Sequence, residues 1–279
     1  MLRTTGALAL AAAAVAACDN GTGPEDAGQV VVRFATVSES SAATAASRSA
    51  ARSFTGAPRA AARIAGVNGT LELSSIHLIV GKLALEGAEG ACEGGEHGER
   101  EKGEGEGEDC HEFDLDPFLL DLPLDGGEVT VTAEDVRPGV YTAFEFEVED
   151  VEADEEGHDA SALADVVAEA RALHPDWPDE ASMVVEGTFT PVGDVDPIPF
   201  RTFAEAEIEV ESTFDTPLTV EADGNATVSV VLDPAGWFTR ADGTVVDLSR
   251  YDYTGDDGDI LEFEFERGVA EVEHEGDDD

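Results

Sequence analysis

Residues 68–85 read NGTLELSSIHLIVGKLAL, and the spacing of their apolar side chains decides the fold class. Leu71 and Leu73 alternate with polar neighbours, Ile76, Leu78 and Val80 take the opposite parity, and Leu83 and Leu85 switch back after Gly81. Apolar residues at every second position bury one face of a β-strand. A change of parity at a glycine predicts a β-bulge at Gly81. The same period recurs along the chain. Gln29–Phe34 (QVVVRF) reads as a first short strand. Val129 and Val131 alternate with threonines, and Phe144, Phe146 and Val148 alternate with Glu145, Glu147 and Glu149. Ile208 and Val210 alternate with Glu207, Glu209 and Glu211, and Val228, Val230 and Leu232 follow. Turn signals at Asp125-Gly126-Gly127, Pro138-Gly139, Asp223-Gly224-Asn225 and Asp242-Gly243 separate these runs. Many half-buried strands joined by such turns predict a mainly β protein, an antiparallel β-sandwich.

One helix interrupts the pattern. Leu163, Val166, Val167, Ala170 and Leu173 share one face of a helix over residues 160–173. Asp159 or Ser161 caps its start, Pro175 stops it, and it is expected to cover an open end of the sandwich. Leu261, Phe263 and Phe265 alternate with glutamates and allow a last strand in an otherwise acidic tail, 256–279.

The N-terminus sets the compartment. Arg3, a small apolar run from Gly6 to Ala14 and the ending Val15-Ala16-Ala17-Cys18 make a secretory signal over residues 1–17, too short to remain as a membrane span. The Val-Ala-Ala-Cys ending resembles the bacterial lipoprotein cleavage box, which implies lipidation of Cys18 and attachment to a membrane through it. Acyl chains contribute about 0.8 kcal/mol per buried methylene. Residues 18–28 form the tether and 29–255 a single sandwich domain. A low-complexity Ala/Ser/Arg insertion at 38–63 carries Arg48, Arg52, Arg59 and Arg63. It reads as a solvated spacer, or as a basic segment lying on headgroups or on the acidic body. The expected location is the bacterial cell envelope, periplasmic or surface-exposed.

Charge excludes one class of partner. The 63 acidic and 15 basic residues give a net charge of −48. Residues 1–70 are slightly basic, with six arginines against four acids, so the body carries the whole excess. Such a body repels nucleic acid. Glu145/147/149, Glu205/207/209/211 and Glu262/264/266 form same-face ladders, with about 7 Å between successive residues. Ladders on neighbouring strands would oppose like charges, and salt or divalent cations would have to screen them.

Four stretches carry a resemblance to a known family: Ile64–Gly87, Phe113–Val131 (FDLDPFLLDLPLDGGEVTV), Arg137–Val148 (RPGVYTAFEFEV) and Asn225–Leu248, with its VLDPAGWFTRADGTVVDL run. They look like uncharacterised bacterial exported lipoproteins, similar to a domain-of-unknown-function family with a carbohydrate-binding-like or transthyretin-like β-sandwich. The resemblance implies an exported, lipid-anchored sandwich and no catalytic residues.

The remaining motifs point to binding rather than catalysis. Cys92 and Cys110 bracket a Gly/Glu loop, and an oxidising compartment favours a disulfide between them, contributing about 3 kcal/mol. A metal site from Cys92, His97, Cys110 and His111 matches no zinc spacing. Asp252, Asp256, Asp257 and Asp259 could bind calcium weakly, although Tyr253 and Gly255 occupy positions where an EF-hand needs oxygen ligands. Trp177, between prolines in Pro175-Asp-Trp-Pro178, is a candidate exposed platform for stacking a sugar, whereas Trp237 reads as a core residue. No Gly-x-Ser-x-Gly, His-Glu-x-x-His or Walker loop is present. The expectation is a non-catalytic structural or binding module for an envelope protein, a glycan or calcium.

Overall fold

A computed structural model describes residues 27–37, 62–87, 113–148, 160–253, 260–264 and 269–275. The strands lie in two stacked sheets. The smaller has the order β13 (Val269–Glu275), β11 (Asn225–Leu232), β1 (Gly28–Thr36) and β7 (Glu128–Val136). The larger is built around three long columns of strand. The first column is β3 (Gly69–Val80) continued by β4 (Lys82–Gly87). The second is β9 (Met183–Pro191) at one end and β8 (Gly139–Val148) at the other. The third is β10 (Ile198–Val220), a single strand of 23 residues.

The middle column is one strand position interrupted by an excursion of the chain. β8 ends at Val148, opposite Ile208 of β10, and β9 starts at Met183, opposite Ala204 of the same strand. Both are antiparallel to β10, so they follow one another along it. Ser182 seals the gap: its hydroxyl donates to the Ala206 carbonyl at 2.9 Å and accepts from the Ala206 N–H at 2.8 Å. Short strands complete the edges. β2 (Ala62–Gly66), β6 (Phe118–Asp121) and β5 (Phe113–Leu115) pair along the outside of β3 and β4, and β12 (Leu261–Glu264) pairs with β10.

The parity changes read from residues 68–85 have two causes. The register against β9 shifts between Leu73 and Ser75, which is a bulge. Its partner there is Gly187, where a Cβ would come within 2.1 Å of the Glu72 carbonyl oxygen, so the close approach requires glycine. The change at Gly81, expected to be a bulge, is the break between β3 and β4. It falls where the partner column passes from β9 to β8, and the Gly81 N–H donates to the Glu147 carbonyl.

Alternation then builds the core. Leu71, Leu73, Ile76, Leu78, Leu83, Leu85, Phe144, Phe146 and Val148 turn inward and are all but fully buried. The small sheet covers the β4/β8 end, where the ring of Phe34 lies 5.5 Å from Phe146 and 6.2 Å from Phe118. The β9 end is filled by Trp237 and Phe238 of α2 (Pro234–Phe238) and by Val245 and Leu248. Trp237 is therefore the core residue expected of it. Tyr141 opens β8 by donating to the Arg137 carbonyl at 2.8 Å, and its burial pushes the phenol above its ordinary range against a small opposing effect of Arg137.

The mainly β sandwich is as expected, with differences in detail. β1 pairs parallel with β11, and β12 parallel with β10, so the sheets are mixed rather than wholly antiparallel. The 256–279 segment is more than a tail, because its apolar alternation supplies β12 and β13 to the two sheets. The expected insertion ends within β2, where Arg63 faces Glu72 at 3.8 Å, and residues 38–61 lie outside the described residues. Helix α1 (Ala160–Leu173) has the expected bounds but not the expected place. It lies on the outer face of the large sheet, with Leu163, Val166, Val167 and Ala170 packed with Ile79, Val184 and Phe203, because the excursion that carries it leaves and rejoins that sheet. Leu173 is exposed, since at 100° per residue it sits about 80° away from Leu163 at the margin of the stripe.

Candidate functional site

The outer face of the large sheet is apolar beneath α1 and acidic beside it. Inward burial of Phe144, Phe146 and Val148 forces Glu145 and Glu147 outward. The register of β8 on β10 then places Glu209 opposite Glu147 and Glu211 opposite Glu145. On the other flank, Lys82 of β4 is opposite Glu147, and its ammonium reaches diagonally to Glu145 Oε2 at 2.7 Å. Glu205 continues the row toward β12, opposite Glu262. The ladders seen in the sequence are thus neighbours. Cross-strand carboxylates of like charge destabilise a sheet.

Three of these glutamates converge. One carboxylate oxygen from each of Glu145, Glu147 and Glu209 lies within 4.8 Å of the other two. Oxygen ligands about 2.4 Å from a central calcium ion are at most about 4.8 Å apart, so the spacing suits a hard cation with water completing its shell. Three carboxylates against the one ammonium of Lys82 leave two negative charges, which a single divalent ion would balance. Burial by itself would raise the Glu145 carboxyl. Hydrogen bonds from Glu147 and Lys82, with the Lys82 charge, outweigh it and hold the group below its ordinary range.

The residues singled out in the sequence are placed elsewhere. Trp177 is 3% exposed, with its indole N–H donating to the Ala181 carbonyl at 2.7 Å and its ring against Phe203 and His174. It offers no face to a sugar, because the prolines around it turn the chain back under α1 rather than out to water. Asp252 is described, and its Oδ1 accepts from the Arg201 N–H at 2.8 Å. Asp256, Asp257 and Asp259 lie outside the described residues, as do Cys18, Cys92 and Cys110. The glutamate cluster went unrecognised as a site in the sequence. Its signal was the set of ladders, which names the acids but not which ladders are adjacent. A cleft of about 1230 Å³ also opens beside β13, lined by Arg33, His274 and the turn Phe214–Pro217, where β10 carries extra residues against β8.

No family model matches the sequence, and no curated protein matches it. Among solved structures the chain is similar to MbnP from Methylosinus trichosporium, at 14% identity over 77% of this chain and 79% of that one, with a TM-score of 0.34. A likeness this loose carries no functional argument.

Proposed function

We propose that the protein is a lipid-tethered β-sandwich of the bacterial cell envelope, a non-catalytic module that binds a divalent cation of the calcium class on its glutamate face. The observation that carries the cation reading is the convergence of Glu145, Glu147 and Glu209, with the Lys82 ammonium paired to Glu145 beside them. The tether rests on Cys18 and the signal before it. Three side chains and water make a loose site, so the expected dissociation constant lies at about 10⁻⁴–10⁻³ M, the range of extracellular calcium modules. Titration calorimetry with calcium chloride tests it on the wild type and on Glu209→Gln. Saturable heat that the substitution removes supports the reading, and heat no greater than that of sodium chloride at equal ionic strength overturns it. Radiolabelled palmitate should enter the wild type and not Cys18→Ser. Equal labelling of both would remove the tether.

A further inference from the structure

Among the described residues, one edge of each sheet lies open, and the two open edges share a cleft. β13 ends the order of the small sheet and has a strand only on its β11 side. In the large sheet β10 is paired with β8 from Ile208 to Val220, while on its other side β12 reaches only to Glu207. β10 and β13 meet where the ring of Phe214 lies 4.6 Å from that of His274. β10 carries its extra residues there, between Thr213 and Leu218, and the cleft of about 1230 Å³ runs along both strands.

Both walls of the cleft have the same pattern. In β13, Val272 and His274 lie opposite the buried Val230 and Val228, and Glu273 lies opposite Ser229 on the other face. In β10, Phe214 and Leu218 are buried, while Asp215, Thr219 and Glu221 are exposed. The cleft is thus apolar on its inner side and acidic on its outer side, where Asp215, Glu221 and Glu273 outnumber Arg33. In its wall, His274 Nδ1 is shut off from water and has no hydrogen-bond partner among the described residues.

We propose that this seam binds an extended cationic peptide segment, added to β13 as a further strand in which apolar and basic side chains alternate. A strand edge offers unpaired N–H and C=O groups, so main-chain hydrogen bonds supply the affinity and alternate side chains the selectivity. The apolar side chains of the added strand turn toward Phe214, Val272 and His274, and the basic ones toward Asp215 and Glu273. Charge chooses the occupant. A net charge of −48 repels a second copy of the chain and attracts a cationic segment. Residues 276–279, which follow β13, are Gly-Asp-Asp-Asp and have the wrong charge for this site.

Fluorescence anisotropy tests this on the full chain at an ionic strength of about 0.15 M, with a labelled, end-capped peptide Lys-Val-Lys-Val-Lys-Val-Lys as the probe. Binding should be saturable. It should be about tenfold or more tighter than that of the same peptide methylated at every backbone nitrogen, which keeps its charges and cannot pair as a strand. Asp215→Arg with Glu273→Arg should weaken binding about tenfold or more. Asp165→Arg with Glu169→Arg, an equal change of charge on the exposed side of α1, should weaken it less than about threefold. Hydrogen exchange reads the wild type directly: β13 amides that do not bond β11 should slow about tenfold with the peptide and not with its methylated form. Absence of saturable binding overturns the proposal. So do equal binding of the methylated peptide and equal weakening by the two pairs of substitutions, because either reduces the effect to attraction by an acidic surface. Protection of those amides before any peptide is added also overturns it. Protection that grows with protein concentration assigns the edge to a second copy, and protection that does not assigns it to another segment of this chain.

Discussion

Two halves of one sheet face, built on the same three columns of strand, have opposite surroundings. In the β9 half the outward side chains Ile79, Val184 and Phe203 are apolar and α1 lies on them. In the β8 half the outward side chains are Glu145, Glu147, Glu209 and Glu211 with Lys82, and no described helix packs there. The inward faces of both halves are equally apolar. Whether a sheet receives a third layer is therefore decided by the outward half of its alternation. Burying an aliphatic or aromatic side chain contributes about 1.5–3 kcal/mol, while burying an unpaired carboxylate costs several.

The apolar half should answer most strongly to substitution. Phe203→Ala leaves a cavity under α1 and is expected to destabilise the protein by about 3–5 kcal/mol in urea unfolding. A loss below about 1 kcal/mol would mean that α1 contributes little to the fold. On the acidic half the effects are electrostatic and smaller. Lys82→Met strips Glu145 of its partner and should cost about 1–2 kcal/mol at low salt, while strengthening calcium binding through the added negative charge. It also tests the pH sign. Because the Glu145 carboxyl is held below its ordinary value of 4.5, its contribution is present above that pH and lost as pH falls through the lower folded value. The methionine variant should lose less stability than the wild type between pH 4.5 and 2. The smallest effect belongs to Glu147→Gln. Removing one charge from the Glu147–Glu209 pair should stabilise by a few tenths of a kcal/mol at low salt and by nothing in 1 M salt, where the screening length is about 3 Å. A salt-independent change would show that repulsion between the ladders is unimportant.

Much of this contrast is legible in the sequence, but not its arrangement. The stretch FEFEVE at 144–149 states which side chains face inward and that the outward ones are acidic. It cannot state that Glu147 lies opposite Glu209, because that depends on where β8 stops along a strand 60 residues away. The bounds of α1 follow from its own apolar stripe and from Pro175, whereas its docking face follows from the excursion between two collinear strands. Trp177 was misread for the same reason. A tryptophan between prolines looks like a surface loop in isolation, and only the fold turns that loop beneath the helix.

The alternation, the turn residues and the helical stripe are set by local geometry, so the sequence by itself determined the mainly β class, the helix and the acid excess. The pairing of distant strands, the parallel neighbours and the tail strands built into both sheets were decided only by the tertiary structure. Period-two patterning specifies which face a residue occupies and says nothing of its partner, which is fixed when sheets of many interchangeable strands find the one register that buries every apolar face at once.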